Sequence, residues 1–445
     1  MAAAAEAVPQ IAALQSALRK ARWRLIPLLS ICYLVAFMDR ANISFAQESL
    51  SRDLHFTPKV YGLGAGLFFL SYALCEIPSN RMLLRFGPRK WLARIMLTWG
   101  LIAAAMVFIH STRSFYGMRL LLGIAEAGYF PGALFYLSQW FPATERARSI
   151  SLFYMAFPLS GTVMGGVAGL LLRQNGRLGL TGWQWLFLVE ALPAILLSVV
   201  VWCCLPEGPQ TAKWLSAEER EALTAELAND PVGLREAAHI GSGLRRALTS
   251  GRAWTISLFL FFTLGSYYAL IFSLPTLLQE LTGWNVGHVG YLVAGFGLAG
   301  AVAMVLVALH SDYTRERRWH IVVPTGFMTL AVLAAGLGFA GKAHIAGWGT
   351  VLALLVAITS YYAMQGPAMG LPNMVFSGDA AAVAIAMLTM GGIAGGFVGP
   401  YWMGWMREST GGYARGIGLL CVPCLLGGLL ILALLRSISS ESSGN

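Results

Sequence analysis

The chain has 445 residues, of which 57 % are hydrophobic and 12 % are charged, and its net charge is +10. The charged share is about half of the roughly 25 % usual in soluble domains, which argues against an ordinary soluble enzyme and favours a membrane protein. No basic and aromatic surface module accompanies the positive charge, so a nucleic-acid partner is not expected.

Apolar segments of about 20 residues recur along the whole chain, long enough to cross a bilayer as α-helices. The strands of a β-barrel would need only about ten alternating residues, and a large soluble helical bundle would need polar faces that these segments lack. The sequence therefore predicts an all-α membrane protein with twelve spans. They start near Leu25, Val60, Trp91, Ser114, Ala147, Trp183, Trp254, Val289, His320, Ile345, Ala380 and Gly416.

A long polar stretch divides the spans into two sets of six, which predicts five regions. Residues 1–24 form an N-terminal tail, 25–204 a first six-helix bundle, 205–252 a linker, 253–435 a second six-helix bundle, and 436–445 a C-terminal tail. Within the linker, Ser216 and Glu219 have capping-box spacing, which predicts one short amphipathic helix.

Basic residues concentrate on one side of the predicted spans. Arg19, Lys20, Arg22 and Arg24 precede the first span, which is too long to be the apolar part of a cleaved signal peptide. With twelve crossings, the positive-inside rule places both tails and the linker in the cytoplasm. The expected location is the bacterial inner (plasma) membrane, with several passes.

Glycines spaced by four occupy one face of the fifth predicted span, at Gly161, Gly165 and Gly169. The eleventh span carries the same device at a corresponding position, in residues 391–399. Such faces let helix backbones approach closely, and ordinary packing alone explains each of them. Their positional correspondence favours a six-plus-six repeat of two pseudo-symmetric bundles.

Two opposite charges, Asp39 and Arg40, stand side by side within the first predicted span. A charge at the centre of a spanning helix costs roughly 2.5–3.5 kcal/mol on insertion scales, so this pair should face a bundle interior or a wet cavity. Arg40 presents a planar fork that matches a carboxylate. Asp39 either carries a proton or serves as the counter-ion of Arg40, and the sequence leaves both alternatives open.

The fourth predicted span contributes Arg119 and Glu126, which are two helical turns apart on one face. They could engage each other directly or through water, so that protonation of Glu126 would free Arg119 for a substrate carboxylate. A static ion pair is the alternative. Glu76 and Glu190 precede prolines within their spans, where we expect them to pair with freed backbone groups rather than to act in transport.

The second half carries few intramembrane charges and is expected to supply neutral contacts. Short basic loops follow the second and eighth predicted spans, and their Arg85 and Asp312 could hold neighbouring helices in one conformation, although topology alone explains such charges. The six cysteines lie in apolar segments and are expected to pack, so neither a cofactor nor a metal site is predicted. The candidate neutral contacts are Tyr267, Tyr268, Tyr361, Tyr362, Gln365, Asn373 and Thr389.

Several motifs resemble the anion:cation symporter branch of the major facilitator superfamily over almost the whole chain. They are residues 38–43 (MDRANI), 72–80 (YALCEIPSN), 119–131 (RLLLGIAEAGYFP), 139–142 (QWFP), 145–148 (ERAR), 182–187 (GWQWLF) and 395–401 (GGFVGPY).

This resemblance implies a monomeric carrier that moves a small organic carboxylate into the cell with protons, by alternating exposure of one central site in the bilayer. By matched motif, Asp39 and Glu126 would bind protons, and Arg40 would meet the substrate carboxylate. Arg119 would pair with Glu126, and Tyr72 would contact the substrate.

The sequence departs from many similar carriers at positions that bind polar groups. Trp is replaced by Ser273 and Met369, Asn by Thr389 and Ile393, and a Gln of sugar-acid carriers by Pro158. Fewer partners for hydroxyl groups favour a less hydroxylated or aromatic acid, with a sugar acid or tartrate as the alternative. A passive channel or a membrane enzyme is disfavoured, since the seven histidines show no ligand spacing and no phosphate-binding loop occurs.

Overall fold

The computed structural model describes residues 2–228, 249–341, 347–376 and 379–443. Within these ranges all regular structure is helical. Eleven helical segments there are long and apolar enough to cross a membrane, and the 32-residue helix Asp379–Thr410 stands where the eleventh span was predicted. The predicted fold class, an all-α membrane protein, is confirmed.

The spans are numbered from first to twelfth in chain order, and four of them consist of two helices in line. Their bounds are Ala2–Leu54; Pro58–Phe86; Pro88–Ala105; Thr112–Glu126 with Tyr129–Ser138; Ala143–Tyr154 with Ala156–Leu172; Gly182–Cys204; Gly251–Ile271 with Leu274–Thr282; Val286–Thr314; Arg318–Phe339; Trp348–Met369; Asp379–Thr410; and Ala414–Leu419 with Cys421–Ser443. Among the described residues, two further α-helices lie between spans, the linker helix Ala217–Ala228 and the short helix Leu371–Val375.

The fourth span breaks directly after Glu126, at Ala127 and Gly128. Gly128 has a φ of +88°, and a Cβ there would lie 2.3 Å from the Ser79 hydroxyl, so only glycine fits without strain. The Ser79 hydroxyl donates to the freed Ala127 carbonyl at 2.6 Å and accepts from the Trp91 indole at 3.0 Å. Because these partners satisfy the break, it is a fixed feature of the span.

The first span begins well before its predicted start, because residues 2–24, predicted as a tail, are helical. This extension contacts the linker helix, where the Lys20 ammonium lies 2.6 Å from the Glu219 carboxylate. The predicted capping box is confirmed, since the Glu219 amide donates to Ser216 Oγ at 3.1 Å and the Ser216 amide donates to Glu219 Oε2 at 2.9 Å. The rest of the predicted linker, residues 229–248, lies outside the described residues.

The start of the linker is also fastened to the first bundle. The Tyr136 hydroxyl donates to the Pro206 carbonyl at 2.8 Å, and Arg89 pairs with Glu207 at 3.2 Å. Arg22 pairs with Glu145 on the same side of the molecule. We call this side the linker face and the opposite side, where the first span turns into the second, the distal face.

The fifth span packs against the eighth span through glycines on both helices. A Cβ added at Gly165 would lie 2.3 Å from the Gly290 carbonyl oxygen, and one added at Gly169 would lie 2.6 Å from Gly287 Cα. The matching glycines of the eleventh span meet the seventh span instead, with Gly395 against the Phe261 carbonyl. The glycines of the fifth span therefore join the two bundles, whereas those of the eleventh span join two helices within the second bundle.

Hydrogen bonds also join the two bundles near the distal face. The Thr276 hydroxyl donates to the Gln47 side chain at 3.2 Å, and the Tyr61 hydroxyl donates to the Phe272 carbonyl at 3.0 Å. Together with the glycine contacts of the fifth and eighth spans, they hold the bundles against each other there.

Candidate functional site

Arg40 and Glu126 form a buried ion pair between the first and fourth spans. Nε and a terminal nitrogen of the guanidinium both lie close to Glu126 Oε1, at 2.7 and 2.6 Å. The centre of the guanidinium lies 4.7 Å from the Phe37 ring, 5.5 Å from Phe68 and 5.0 Å from Tyr72. Aromatic faces attract a cation in this geometry, so the rings hold Arg40 at the pair.

Arg119 and Glu126 form no direct ion pair in the described chain, and their engagement through water, the other alternative, stays a prediction. The Arg119 side chain donates instead to the carbonyl oxygens of Gly64 and Ala65 in the second span, at 3.1 and 3.2 Å. Two residues seven apart do share a helix face, but the cation in contact with Glu126 is Arg40 of the neighbouring span. Arg119 therefore ties the fourth span to the second.

Asp39 points into the first bundle rather than toward the second one. Successive residues of a helix are turned by about 100°, so Asp39 and its neighbour Arg40 cannot face the same way. The Asn42 amide donates to Asp39 Oδ1 at 3.1 Å, while Oδ2 has no hydrogen-bond partner in the described chain. Since Oε1 of Glu126 contacts Arg40, the counter-ion of Arg40 here is Glu126 and not Asp39.

A narrow cavity lies between the two bundles beside this ion pair, and Arg40 is the charged residue of its lining. Its volume is about 40 Å³, which is room for a few water molecules. The aromatic part of the lining consists of Phe37, Phe45, Phe157, Tyr267, Tyr268, Phe272 and Tyr362.

Tyrosines predicted as neutral contacts come together at this cavity. The Tyr267 ring stacks on Tyr361 with centroids 4.2 Å apart, and its hydroxyl shares a 2.6 Å hydrogen bond with Tyr362. The Gln365 amide donates to the Tyr361 hydroxyl and, across the bundle interface, to the Tyr154 hydroxyl at 3.3 Å. Tyr267 and Tyr362 thus line the cavity with Arg40, while Tyr361 and Gln365 contact them or their neighbours from outside the lining. Their role as substrate contacts stays a prediction.

Two further predicted contacts are Thr389 and Asn373. Thr389 lies on the eleventh span but outside the cavity lining, and the side chain of Asn373 lies outside the described residues. Tyr268 does line the cavity and packs on Phe69, with ring centroids 4.6 Å apart.

The predicted gating residues lie apart from the cavity. The Arg85 guanidinium lies over the ring of Phe86, its neighbour in sequence, at 5.5 Å. The Asp312 carbonyl accepts the Arg315 amide at the end of the eighth span. The charge pair that the first of these loops does make uses Arg89, so the gating role of Arg85 and Asp312 stays a prediction.

The aromatic residues of the first and fifth spans were missed by sequence reasoning. Phe37 lies one helical turn before Arg40 and packs on Phe157, with centroids 4.4 Å apart. Phe157 in turn contacts Tyr267 and Tyr362 of the second bundle, at 5.9 and 5.1 Å. The available signal was the three-residue spacing of Phe37 and Arg40, which places both on one helix face.

The expected structural pairing of Glu190 is also wrong. This side chain is buried in the sixth span, and neither of its carboxyl oxygens has a hydrogen-bond partner in the described chain. Pro193 follows one turn later, but the carboxyl group does not bond to the backbone around it. Glu76 is half-buried one turn from Tyr72, and its structural role stays a prediction.

The model of the family described as "Major Facilitator Superfamily" matches residues 29–400 of the chain. The chain belongs to this family. The expected resemblance is thereby confirmed, and the chain is a multi-pass membrane transporter rather than an enzyme. The match runs from the first span into the eleventh and includes Arg40 and Glu126.

Similar proteins from bacteria extend along nearly the whole chain. A "Putative tartrate transporter" of Agrobacterium vitis is 41 % identical over 424 residues, covering 94 % of this chain and 91 % of its own. The "Putative metabolite transport protein NicT" of Pseudomonas putida is 38 % identical, with 93 % of each covered. A "Quinolone resistance transporter" of Acinetobacter baumannii is 35 % identical, again with 93 % of each covered.

Solved structures of low sequence identity share the fold. An inward-facing bacterial homolog of the human lysosomal transporter Spinster superposes with a TM-score of 0.75 at 18 % identity, over 94 % of this chain and 98 % of that one. The xylose transporter XylE from E. coli superposes with a TM-score of 0.70 at 16 % identity, over 93 % and 97 %.

Proposed function

We propose that this transporter takes up a small organic anion, a carboxylic acid, together with protons across the bacterial inner membrane. The observation that carries the proposal is the ion pair of Arg40 and Glu126 beside the cavity between the bundles. Two relatives named as tartrate transporters support an organic acid as the substrate.

Arg40 is the group on which an anion would dock. Its guanidinium lines the cavity, keeps its charge at all physiological pH values, and offers a fork that matches a carboxylate. In this structure the guanidinium of Arg40 binds the carboxylate of Glu126. A substrate carboxylate must therefore compete with Glu126 for the same cation.

Protonation of Glu126 removes that competition. The neutral carboxyl no longer neutralises Arg40, and the buried cation is then left without a counter-ion, which is costly in an apolar interior. An incoming carboxylate supplies the missing charge. Proton and anion thus favour each other's binding, which is the linkage that a symporter requires. Asp39, a buried carboxyl group next to Arg40 in the first span, is the second candidate proton carrier.

The cavity lining supports a substrate with few hydroxyl groups. Ser44 and Ser160 line it, but their hydroxyls donate to the carbonyls of Ala41 and Phe157 at 2.7 and 2.6 Å. The remaining surface is largely aromatic. This arrangement favours a planar, aromatic carboxylate, because unpaired substrate hydroxyls are costly when buried. Tartrate or a sugar acid is the alternative, favoured by the names of two relatives.

The transport cycle we propose is alternating access by a monomer with both termini in the cytoplasm. In that orientation the distal face, where the bundles are joined, is the external side. Separation of the bundles from the linker face would widen the cavity around Arg40 and admit the substrate. Rocking of the bundles about the central site would then expose it to the opposite side.

Accumulation assays in proteoliposomes test the proposal. We expect labelled acids from a panel containing tartrate, a sugar acid and benzoate to accumulate against their own gradient when the outside is acidic. An uncoupler should abolish accumulation. Uptake that only equilibrates would indicate a channel, and accumulation that persists without any proton gradient would contradict proton coupling.

A further inference from the structure

A hydrogen bond crosses between the two bundles about one helical turn away from the central cavity. The Gln365 amide of the tenth span donates to the Tyr154 hydroxyl of the fifth span at 3.3 Å. Tyr154 comes three residues before Phe157, and Gln365 comes three residues after Tyr362. Because Phe157 and Tyr362 both line the cavity, the bond lies next to it on one side.

The directions of the two spans show which side this is. The fifth span runs away from the linker face, where Glu145 near its start pairs with Arg22. The tenth span runs toward the linker face, since Trp348 at its start packs on Trp284 just before the eighth span, with ring centroids 5.4 Å apart. The bond therefore lies between the cavity and the linker face.

The Tyr154 ring is packed within the first bundle. Its centroid lies 6.2 Å from that of Tyr33 in the first span and 6.1 Å from that of Phe130 in the fourth span. These contacts fix the ring, so its hydroxyl is presented to the second bundle from a defined position.

The Gln365 side chain is only partly satisfied by this arrangement. Its amide also donates to the Tyr361 hydroxyl, whereas its buried Oε1 has no hydrogen-bond partner in the described chain. A buried carbonyl oxygen without a partner is costly, and water would supply one once the bundles part. The closed state is therefore easily exchanged for an open, hydrated one.

The fifth span breaks directly after Tyr154. The helix Ala143–Tyr154 ends there, and the next helix is Ala156–Leu172. Pro158 has no amide hydrogen and cannot donate to the Tyr154 carbonyl four residues before it, which accounts for the break. The linker-side half of the span can tilt at this point and carry the tyrosine away from the tenth span.

We propose that the hydrogen bond between Tyr154 and Gln365 is an inner latch, which closes the central cavity toward the linker face and opens when the fifth span bends at Pro158. This inference rests on the alternating access of the proposed function and names the contact that separates its two states on this side. Gln365 then controls the opening of the cavity rather than holding the substrate itself.

Hydrogen–deuterium exchange of the purified full-length protein in lipid nanodiscs tests the latch without substrate or gradient. Tyr154→Phe removes the hydroxyl and keeps the ring. We expect amide exchange in residues 143–154 to become about threefold to tenfold faster, as for the loss of one neutral hydrogen bond. Residues 160–172, beyond the break, should keep the wild-type rate.

The matched control is Tyr129→Phe, whose hydroxyl bonds the Leu29 carbonyl at the same 3.3 Å but inside the first bundle. It should leave the exchange of residues 143–154 unchanged. Unchanged exchange of these residues in Tyr154→Phe, equal acceleration on both sides of the break, or the same acceleration in the control would overturn the latch.

If Tyr154→Phe does not fold, Gln365→Met removes the donor from the other side and should accelerate exchange of the same residues. The bond to Tyr361 is lost as well, but that contact lies within the second bundle. Where both variants fold, their effects should not add in the double variant, because both break the same bond. Additive effects, or no acceleration in Gln365→Met, would contradict the latch.

Transport measurements test the bend at Pro158. Pro158→Ala supplies the missing amide and should straighten the fifth span. We expect uptake of the acid that the wild type accumulates to fall about tenfold, because opening is slowed, while Pro324→Ala in the unbroken ninth span stays within about twofold. The thermal shift caused by the acid should stay as in the wild type, since the cavity lining is intact.

Unchanged uptake in Pro158→Ala would refute the bend as the opening step. Wild-type uptake without proton dependence would instead refute the proposed function, and the exchange rates of residues 143–154 would still decide the latch, because they involve neither protons nor substrate.

Discussion

Arg40 and Glu126 lie 86 residues apart in sequence and 2.6 Å apart in space. The pair places the anion-binding candidate and the proton-binding candidate in direct contact. Any group that binds one of them must alter the other, because each neutralises the charge of the other.

Substitution of Arg40 should remove anion binding in proportion to the loss of its fork. We expect Arg40→Ala to abolish binding, and Arg40→Lys to weaken it about tenfold or more, because lysine keeps the charge but not the bidentate geometry. Thermal shifts of the purified protein with the carboxylic acid panel measure this. Equal affinities in both variants and the wild type would mean that the anion docks elsewhere.

Glu126→Gln should uncouple transport from protons while preserving the exchange of bound anion. The amide is neutral at all pH values and mimics the protonated state, in which Arg40 is free for substrate. We expect accumulation driven by a pH gradient to fall at least tenfold, while counterflow of labelled acid persists. The partly exposed Glu145, which pairs with Arg22 on the linker face, provides the control substitution Glu145→Gln. Full accumulation by Glu126→Gln would refute the proton assignment.

Arg119 is expected to act in stability, since it donates to two carbonyls of the second span. We expect Arg119→Met to lower the free energy of unfolding by about 2–4 kcal/mol through loss of two charge-assisted hydrogen bonds. Arg113 lies on the same span and is exposed, so Arg113→Met should change it by less than about 0.5 kcal/mol. Thermal unfolding in detergent compares the two. Equal stability of both variants would show that the carbonyl contacts are dispensable.

Gly165 should tolerate no side chain when the distal face is closed. A Cβ there would lie 2.3 Å from the Gly290 carbonyl oxygen, whereas a Cβ at Gly166 meets nothing within 4 Å. We therefore expect Gly165→Ala to reduce transport at least tenfold and Gly166→Ala to leave it within about twofold. Distances between spin labels on the fifth and eighth spans would report the separation of the bundles. Wild-type distances and transport in Gly165→Ala would contradict the observed packing.

The contact of Lys20 with Glu219 should depend on pH. Burial alone would raise the pKa of the Glu219 carboxyl, but hydrogen bonds from Lys20, the Ser216 amide and Ser16 lower this pKa to about 2. A lowered pKa in the folded state stabilises the protein above the unfolded value of about 4.3, and this stabilisation is lost as the pH falls toward 2.

We accordingly expect the melting temperature of the wild type to exceed that of Glu219→Gln by a constant amount between about pH 5 and 7. The difference should narrow below about pH 4. The neighbouring Glu218, which is exposed, gives the control Glu218→Gln, whose melting temperature should follow the wild type throughout. A difference that stays constant down to the lowest accessible pH would exclude ionised Glu219 as the cause.

Hydrophobic length and charge placement were sufficient to predict the class of fold and the position of Arg40 beside a cavity. They could not predict its partner. Helical spacing brings Arg119 and Glu126 to one face, but which cation reaches the carboxylate depends on how the first span packs against the fourth. That arrangement is a tertiary property which no local pattern in the sequence contains.

The partner of Glu190 also could not be predicted from the sequence. Its place before Pro193 suggested a backbone partner, because prolines free carbonyl groups within helices. The direction of the side chain decides the matter, and no backbone group of the described chain bonds to its oxygens. The aromatic lining was missed for a related reason, since apolar rings in a membrane span face lipid, core or cavity with the same sequence signature.

The anchoring of the linker at Pro206, Glu207 and Glu219 has a mechanical consequence. In the proposed transport cycle, the segment from Leu205 to Ala228 would therefore move together with the first bundle. A protease site or a fluorescent-protein fusion inserted within it would damage the first bundle itself.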